Sequence, residues 1–300
     1  MIVITGATGH TGRPAADILL SHGQKVRVIG RSADRLAEFA AKGAEAFVGE
    51  LSDTARLTQA FAGADAVYAL IPADISAPDL AAYQDRISDA LAIAIRDSGV
   101  KYVVVLSSVG AHLPERTGPI LGLRRMEQRI AGIAGINALL LRPPFFMENT
   151  LMQIPVIQKM GRMGGVQNGD LKIPMIATRD IGAVAATALE SRNFTGISTR
   201  ELLGQRDLSY DEAAKFIGAA IGIPMLSYSR IPALIFKPAL RQFGVSESVA
   251  DAYVEMSESM NKGYLVPEEP RTAANTTPTP FESFATEVFA PAFLGRAASA

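Results

Sequence analysis

Ile2-Val-Ile-Thr-Gly-Ala-Thr-Gly-His-Thr-Gly-Arg13 is the stretch that decides the fold of this chain. Its first four residues favour a β-strand, and Gly6, Gly9 and Gly12 follow directly. From residue 13 to residue 20, apolar side chains recur at helical spacing. A strand, a glycine-rich turn and a helix in this order predict a turn that binds the phosphates of a dinucleotide.

The physical chemistry of such a turn explains its glycines. The chain needs a residue that accepts a positive φ, and the missing Cβ lets the backbone approach a phosphate. The helix then presents unpaired N–H groups, and its dipole favours negative charge. The spacing is G-x-x-G-x-x-G rather than G-x-G-x-x-G, and an ordinary strand-to-helix turn is the alternative. We expect the cofactor to contact Gly6, Ala7, Thr8, Gly9, His10, Thr11 and Gly12.

Composition narrows the function further. The 300 residues are 48% hydrophobic and 20% charged, which fits one large α/β domain or a domain with an appended lobe. The net charge of −1 predicts no attraction to nucleic acid or to an anionic membrane. Without cysteine there is no disulfide and no thiolate chemistry, and the three histidines lack metal-ligand spacing. No apolar run could span a bilayer and no leader is evident, so we expect a cytoplasmic protein without a metal.

Predicted strands and helices alternate through the first half, which is typical of a doubly wound parallel sheet of Rossmann-like type. The predicted strands are 2–5, 25–30, 46–48, 66–71, 102–107 and 137–141, and the predicted helices are 13–20, 33–42, 53–61, 78–98 and 120–134. We therefore predict an NAD(P)-binding domain over residues 1–150. Residues 151–300 are expected to form a smaller α+β substrate-binding lobe that is intertwined with it.

The second half is less regular. Residues 147–160 are predicted helical with an interruption at Pro155, and residues 163–169 are predicted to be a glycine-rich loop. Short strands are expected at 172–176 and 201–203, and one or two amphipathic helices at 230–260. Residues 266–280 are predicted to be an extended surface segment. Helix starts are predicted at Asp180, at the capping box Ser209–Glu212 and at a second capping box, Thr279–Glu282.

The end of the second strand indicates which dinucleotide binds. An NAD site usually places an acidic residue there, where it binds the ribose 2′-hydroxyl. This chain has Gly30, Arg31 and Ser32 instead. No acid is present to repel a 2′-phosphate, and the guanidinium of Arg31 suits one. The sequence thus favours NADP(H) over NAD(H), unless Arg31 is simply a solvated residue after a strand.

With the turn and Arg31 placed, the chain resembles the NmrA-like family of atypical short-chain dehydrogenases/reductases. Further matches occur in the family's order along nearly the whole chain. They are Ala69-Leu-Ile-Pro72, Leu106-Ser-Ser-Val-Gly110, Gly118-Pro-Ile120 leading to Glu127, Arg142-Pro-Pro-Phe-Phe-Met-Glu-Asn149, Asp180-Ile-Gly182 and Pro280-Phe-Glu-Ser-Phe284. The members to compare are bacterial NAD(P)H-dependent quinone reductases and NADP-sensing transcriptional regulators. The resemblance implies cofactor contacts at Leu70, Ile71, Pro72, Ser107 and Pro144.

One departure from the wider superfamily concerns the proton donor. Standard members carry Tyr-x-x-x-Lys after a strand-end serine, in which the lysine lowers the pKa of the tyrosine. Anchoring on Glu127 puts those two places at Pro119 and Leu123, and none of the seven tyrosines has a lysine four residues later. Carbonyl reduction to an alkoxide needs a donor, so this chemistry is disfavoured. Hydride addition to a quinone gives a far more stable phenolate-like anion.

Candidate substrate contacts lie at the ends of the fifth and sixth strands. Ser107 and Ser108 are the candidate hydrogen-bond donors, or else serines that satisfy backbone groups. Phe145, Phe146 and Met147 form either an apolar pocket wall or part of the core. Asn149 either hydrogen-bonds the substrate or caps the next helix. Glu127 and the arginines beside it (Arg124, Arg125 and Arg129) are expected to form surface ion pairs.

The sequence thus leaves two main functions open. The first is a reductase that transfers hydride from NADPH to a quinone or a similar apolar conjugated electrophile. The second is a non-catalytic NADP(H) redox sensor that acts through a protein partner. A reductase or isomerase of a specialised metabolic intermediate is a third, weaker possibility. In each case we expect a monomer or homodimer that binds neither nucleic acid nor a membrane.

Overall fold

A seven-stranded parallel sheet forms the centre of the computed structural model, which describes residues 1–295. Within those residues the strands are β1 (Ile2–Thr5), β2 (Val26–Gly30), β3 (Glu45–Val48), β4 (Ala66–Ala69), β5 (Tyr102–Leu106), β6 (Asn137–Arg142), β7 (Phe145–Phe146), β8 (Met163–Gly165), β9 (Ile173–Ile176), β10 (Ile197–Glu201), β11 (Asp207–Leu208) and β12 (Tyr228–Arg230). The large sheet has the order β10-β6-β5-β4-β1-β2-β3. The predicted doubly wound α/β fold is therefore confirmed.

Helices cover both faces of this sheet. They are α1 (Gly12–Ser21), α2 (Ala33–Ala41), α3 (Thr54–Phe61), α4 (Leu80–Ser98), α5 (Ile120–Ala131), α6 (Ile154–Met160), α7 (Thr178–Ser191), α8 (Tyr210–Ile221), α9 (Ala233–Gln242), α10 (Glu247–Asn261), α11 (Phe281–Phe284) and α12 (Ala290–Phe293). One core cluster joins α1, α2 and α7 to the sheet, and a second joins α3, α4 and α5 to its other face. The strand order reverses beside β1, and in open α/β sheets ligands bind at such a point, beyond the carboxyl ends of the strands.

Residues beyond 150 contribute both to a second lobe and to the large sheet. The lobe contains the small sheets β11-β9-β7 and β12-β8, and its core is rich in aromatic and methionine side chains. In contrast, α7 packs on α1, and β10 pairs in parallel with β6 at the edge of the large sheet. The chain therefore leaves the large sheet after β6, returns for α7 and β10, and leaves again.

Two strand predictions in the second half were wrong. Residues 163–169 were predicted to be loop, but Met163–Gly165 is a strand that pairs in parallel with Tyr228–Arg230. Its partner lies far along the chain, so no local pattern indicates the pairing. The edge strand predicted at 201–203 occurs instead at Ile197–Glu201, where exposed residues prevail because one edge of β10 faces solvent.

Helix boundaries follow the predicted signals with small shifts. Asp79 caps α4 by accepting a hydrogen bond from Ala82 N–H at 2.9 Å, so this helix starts two residues later than predicted. Residues Met147–Gln153 form a 3₁₀ helix, and α6 begins beside Pro155 because proline suits the first turn of a helix. The single region predicted at 230–260 contains two helices, α9 and α10.

The three predicted helix starts differ in outcome. The Ser209 capping box is confirmed: Ser209 Oγ accepts from Glu212 N–H at 3.1 Å, and the Glu212 carboxylate accepts from Ser209 N–H at 2.8 Å. The other two predictions were wrong, because Asp180 and Thr279 bind each other. Asp180 accepts from Thr279 N–H at 3.0 Å and from Thr279 Oγ1 at 2.7 Å, and both residues are buried. This contact anchors the end of the 266–280 segment, which is otherwise free of helix and strand and largely exposed, as predicted.

Candidate functional site

The glycine turn joins β1 to α1, and its glycines have separate steric roles. Gly6 has a φ of +62°, and a Cβ there would stand 3.0 Å from a methyl carbon of Leu70. A Cβ on Gly12 would stand 2.3 Å from the carbonyl oxygen of Gly6, so α1 packs directly on the turn backbone. Gly9 N–H donates to the same oxygen at 2.9 Å. The turn is therefore lined by backbone at the N-terminus of α1, where N–H groups and the helix dipole favour an anion.

The side chains of the turn divide into buried and accessible ones. Ala7 and Thr11 are buried, and Thr11 Oγ1 accepts a hydrogen bond at 3.1 Å from the hydroxyl of the buried Tyr68. Burial raises the pKa of Tyr68, and its hydrogen bond with Thr11 partly opposes this rise. Gly9 and His10 are exposed and Thr8 is half-buried. Tyr68 thus fixes the buried side of the turn, while the outer side of the turn remains open to a ligand.

Two arginines lie beside the turn at the end of β2. Arg31 is exposed, and its positive charge acts on Asp74 in the loop after β4. The pKa of Asp74 is lowered, first by hydrogen bonds from Ser76 and further by Arg31. Arg35, which sequence reasoning missed, donates through Nη2 to the carbonyl oxygen of Thr8 at 3.4 Å. Its position in the first turn of α2, directly after Arg31, was the signal that could have revealed it.

The ends of β4, β5 and β6 bring together the other predicted cofactor contacts. Leu70 packs against Gly6, and Ile71 and Pro72 continue into the loop after β4. Ser107 is buried, and its Oγ has no hydrogen-bond partner within residues 1–295. Ser108 differs, because its hydroxyl donates to the carbonyl oxygen of Val109 at 2.9 Å. Of the two candidate donors, Ser107 therefore has the uncommitted hydroxyl.

The predicted substrate residues after β6 point in different directions. Met147 is 1% exposed and packs in the core of the second lobe, so it forms no surface wall. Phe145 is half-buried and meets Tyr210 edge-on at 5.6 Å between ring centroids. Phe146 is half-buried against the core of the large sheet, and Asn149 is exposed.

Glu148 lies among these residues and caps α7. Its carboxylate accepts from Thr178 N–H at 3.0 and 3.1 Å and from Thr178 Oγ1 at 2.6 Å. Burial raises the pKa of Glu148, while the Thr178 hydrogen bonds and the electrostatic influence of His10 oppose this rise. The coupling to His10 places this carboxyl group close to the glycine turn. The Arg142–Asn149 motif contained this residue, but nothing in the sequence distinguished its role from that of Asn149.

A cavity of about 170 Å³ opens beside the end of β4. Its walls come from the loop after β4, from α4, from the start of α5 and from α10. They include Ile71, Pro72, Tyr83, Pro119, Leu123 and Tyr253. Sequence reasoning identified Pro119 and Leu123 as the places where the usual Tyr and Lys are missing, but it missed Tyr83 and Tyr253. A second cavity of about 360 Å³ adjoins the first and shares the walls Leu80 and Gln84.

The prediction for Glu127 was wrong. Instead of forming a surface ion pair, its buried carboxylate accepts from Arg142 Nε at 2.9 Å and from Arg142 Nη2 at 2.7 Å. Burial opposes the charge on Arg142, but the hydrogen bonds to Glu127 and the nearby carboxylates of Glu127, Glu268 and Glu201 together raise the pKa of Arg142. The buried pair fixes the end of β6 to α5, and the remaining guanidinium nitrogen reaches Glu268 at 2.5 Å. Arg125 and Arg129 do form the expected outer ion pairs, with Asp85 and Asp89.

Other site types find no support in the described part of the chain. Residues 1–295 contain no group of three or more His, Asp or Glu side chains that could hold a metal ion. Over the same residues, every helix is too short or too polar to cross a bilayer.

The parallel sheet, its switch beside β1 and the glycine turn define a protein of the dinucleotide-binding α/β class. The profile of the NmrA-like family matches residues 1–285, so the chain belongs to the NmrA-like family. It is 30% identical to an NAD(P)H azoreductase of Xenophilus azovorans over 88% of this chain and 89% of that protein. Two solved structures share its fold at lower identity.

The first of these structures is an NADPH-dependent quinone oxidoreductase of Escherichia coli in complex with NADPH. It has a TM-score of 0.81 and 23% identity, with 96% of this chain and 100% of that chain covered. The second is a triphenylmethane reductase of Citrobacter sp. in complex with NADP(H). It has a TM-score of 0.80 and 18% identity, with 96% of this chain and 100% of that chain covered.

Proposed function

We propose that this protein is an NADPH-dependent oxidoreductase that reduces a quinone or a similar apolar conjugated electrophile. The observation that carries the proposal is the backbone-lined glycine turn, with two arginines beside it and an apolar cavity at the next strand end. Named relatives that reduce azo compounds, quinones and dyes support the same class of activity. Under this proposal residues 1–150 supply most of the nucleotide site, and the later lobe supplies part of the substrate site.

The residues present fit a dinucleotide. Gly12 packs so closely on Gly6 that no side chain is tolerated there, which leaves backbone N–H groups for a pyrophosphate. The Ser107 hydroxyl is buried without a protein partner, which suits a contact with a polar group of the ligand. When bound, the reduced nicotinamide supplies a hydride and its electron pair. The remaining chemistry depends on the residues of the chain.

Arg31 and Arg35 support a preference for NADP(H). Both carry a guanidinium, which forms paired hydrogen bonds with a phosphate. Arg35 reaches the turn backbone at 3.4 Å, and Arg31 is exposed beside the end of β2. A 2′-phosphate placed after β2 would therefore lie between two cations. Asp74 partly offsets the charge of Arg31, so we assign the preference to the two arginines together.

The cavity wall is largely apolar, with Asp74, Tyr83, Gln84 and Tyr253 as its polar members, and this suits a planar, apolar substrate. Ile71, Pro72, Pro119 and Leu123 offer neither charge nor a hydroxyl. Such walls suit an aromatic or quinonoid ring, whose burial contributes roughly 25 cal/mol per Å² of apolar area. They suit a polar alcohol poorly. Phe145 and Phe146 do not line this cavity but pack against the cores of the second lobe and of the large sheet, and Met147 is buried in the second lobe.

Calorimetry and a turnover assay test this proposal. We expect NADPH to bind, and NADPH absorbance to fall when a panel of quinones is added. Replacing Arg31 with Glu should reverse the preference for NADP(H) over NAD(H). We expect the ratio of the two affinities to change by at least about 10-fold, which corresponds to about 1.4 kcal/mol. The exposed Arg96→Glu variant, remote on α4, is the matched control for the change of charge.

Two outcomes would contradict the proposal. If neither nicotinamide nucleotide binds, the cofactor assignment fails. If NADPH binds but no quinone, azo compound or cationic dye is reduced, the reductase assignment fails and the sensor function becomes the better explanation. A sensor would bind a protein partner differently in the presence of NADP⁺ and NADPH, and the partner would change nucleotide affinity to the same extent.

A further inference from the structure

The cavity beside β4 contains a tyrosine that the sequence motifs do not reveal. Tyr253 lies on α10 and lines the cavity together with Pro119 and Leu123, the two positions where the usual proton donor and its lysine are missing. Helix α10 therefore brings a phenol to the place where α5 has none.

Helix α10 is held across both strand-end loops that border this cavity. At its start, Ser246 Oγ donates to the carbonyl oxygen of Ala77 at 2.6 Å, and Leu80 N–H donates to Ser248 Oγ at 3.0 Å. Further along, Gly118 N–H donates to a carboxylate oxygen of Glu255 at 3.1 Å. Tyr253 lies between these two attachments. Its backbone is thus fixed with respect to both the loop after β4 and the start of α5.

The other tyrosines near the site either use their hydroxyl groups in hydrogen bonds or lie in the core of the second lobe. Tyr83 lines the same cavity, but its hydroxyl donates to the carbonyl oxygen of Pro72 at 3.0 Å. Tyr68 donates to Thr11 beneath the glycine turn. Tyr210 lacks a partner, but it is buried in the core of the second lobe and stacks on Tyr228. Within residues 1–295, no hydrogen bond is formed by the hydroxyl of Tyr253.

The charge around Tyr253 suits a donor that stays protonated. Burial raises the pKa of Tyr253, and no cation within residues 1–295 opposes this rise. The charged group on the cavity wall is Asp74, which keeps hydrogen bonds with Ser76. At neutral pH the phenol therefore carries its proton. A protonated phenol offers the hydrogen-bond donor that a phenolate-like product anion requires.

We propose that the Tyr253 hydroxyl donates a hydrogen bond, and then its proton, to the substrate oxygen that gains negative charge during hydride transfer. The inference rests on the proposed reductase function. The hydride and its electron pair leave the reduced nicotinamide and form a bond to the substrate. The O–H bond of Tyr253 breaks as its proton passes to the substrate oxygen. The phenolate of Tyr253 then takes a proton from water, and the enzyme is ready for another cycle.

A binding experiment tests the hydroxyl without turnover. The probe is 4-nitrophenolate, titrated by its absorbance in the presence of NADP⁺, which cannot supply a hydride and so prevents turnover. We expect Tyr253→Phe to weaken its binding about 10-fold, in the range of one hydrogen bond to a charged group. Tyr102→Phe is the matched control, because Tyr102 lies at the amino end of β5 and packs on Phe194. Equal affinity of the Tyr253→Phe variant and the wild type would overturn the assignment.

A turnover experiment then separates proton donation from a structural role. Reduction of a quinone to a hydroquinone needs a hydride and one proton, whereas a cationic triphenylmethane dye becomes neutral on accepting a hydride alone. We expect Tyr253→Phe to lower kcat/KM for the quinone about 100-fold, at the low end of general acid catalysis. The rate with the dye should change by less than about threefold, which leaves hydride transfer intact. Equal losses with both acceptors would mean that Tyr253 only supports the cavity.

Buffer acids provide a second criterion that needs no dye. If the proton donor is lost, added imidazolium should raise the quinone rate of Tyr253→Phe and leave the wild type unchanged. If added imidazolium leaves the quinone rate of Tyr253→Phe unchanged, the inference is contradicted. If the wild type binds NADPH but reduces no acceptor, the reductase proposal fails, while the 4-nitrophenolate titration still decides whether the Tyr253 hydroxyl faces a ligand anion.

Discussion

The glycine turn and the crossing of α10 both depend on a glycine that touches backbone, but over very different distances along the chain. At the turn, a Cβ on Gly12 would stand 2.3 Å from the carbonyl oxygen of Gly6. At the crossing, a Cβ on Gly118 would stand 2.0 Å from the carbonyl oxygen of Ala252. The first contact is local and the second joins two lobes. The proposed nucleotide site and the proposed substrate site thus each depend on a close glycine contact of similar distance, and the two contacts are independent of each other.

Because of this difference, we expect that a substitution can impair the nucleotide half of the site or the cavity half without impairing the other. The turn is fixed by neighbours in sequence and by Tyr68 beneath it. The cavity depends on four segments brought together by the fold, namely the loop after β4, α4, the start of α5 and α10. A substitution in the turn should affect nucleotide binding first. A substitution at the crossing should affect the cavity and leave the turn intact.

The largest effect is expected for Gly12→Ala. Its Cβ cannot fit against Gly6, so the turn must open and the first N–H groups of α1 lose their alignment. We expect NADPH affinity, measured by calorimetry, to fall at least about 100-fold, which corresponds to about 2.8 kcal/mol. Gly132→Ala is the control, because the nearest atom to its Cβ would be 3.5 Å away. If Gly12→Ala binds NADPH as the wild type does, the turn is not the phosphate site.

A smaller effect, on a different property, is expected for Gly118→Ala. Gly118 has a φ of +54°, and the added methyl group would collide with the backbone of α10. We expect the free energy of unfolding to fall by about 2–3 kcal/mol, as for an overpacked contact, and 4-nitrophenolate binding to weaken. NADPH affinity should change little. Urea unfolding and calorimetry measure the two properties.

The control for Gly118→Ala isolates the backbone conformation. Gly135 has a φ of +71°, but a Cβ there would meet nothing within 4 Å. Gly135→Ala should therefore lower the free energy of unfolding only by the cost of placing alanine in a left-handed conformation, which is about 1 kcal/mol. If both variants lose the same stability, the contact between Gly118 and α10 contributes nothing. A parallel loss of NADPH affinity in Gly118→Ala would show that the two halves are coupled.

The smallest expected effect concerns Glu148, which links the turn to α7. Its raised pKa means that the folded state holds the neutral acid more strongly than the unfolded chain does. Its contribution to stability is therefore complete below the ordinary pKa of about 4.3 and is lost as pH rises through the raised value. Relative to Glu148→Gln, the wild type should become more stable as pH falls through this window.

Urea unfolding of both proteins at several pH values measures this difference. Carboxyl groups with a lowered pKa, such as Asp85, change stability in the opposite direction, but they are common to both proteins and cancel in the comparison. A constant difference in stability across the window would mean that the carboxyl group of Glu148 is not held in its neutral form. The Thr178 hydrogen bonds remain in either case through an acceptor oxygen.

Local patterns predicted the first half of the fold well. Strand, glycine turn and helix recur with strong apolar periodicity, and the caps Asp53 and Ser209 lie next to the N–H groups that they bind. The buried pair of Glu127 and Arg142 was missed because the helical charge pattern around Glu127 is the same for a buried face and a solvated face. Only the position of β6 decides between them.

Predictions failed where a residue's partner is distant in sequence. Asp180 and Thr279 both carry the side chains of good helix caps, yet they bind each other across the fold. The strand Met163–Gly165 needs Tyr228–Arg230 to pair with, and glycine alone predicted a loop. In the candidate site, Tyr253 was missed for the same reason, because the cavity that it lines is formed by segments far away in sequence.

The sequence by itself determined the glycine turn, the alternation of strands and helices, and the absence of a tyrosine and lysine at positions 119 and 123. These depend on backbone conformation and side-chain chemistry within a few neighbouring residues, which sequence order records directly. The tertiary structure alone decided that α10 crosses both strand-end loops and supplies Tyr253 to the cavity. That placement depends on packing between segments more than 100 residues apart, whose free energy no local pattern encodes.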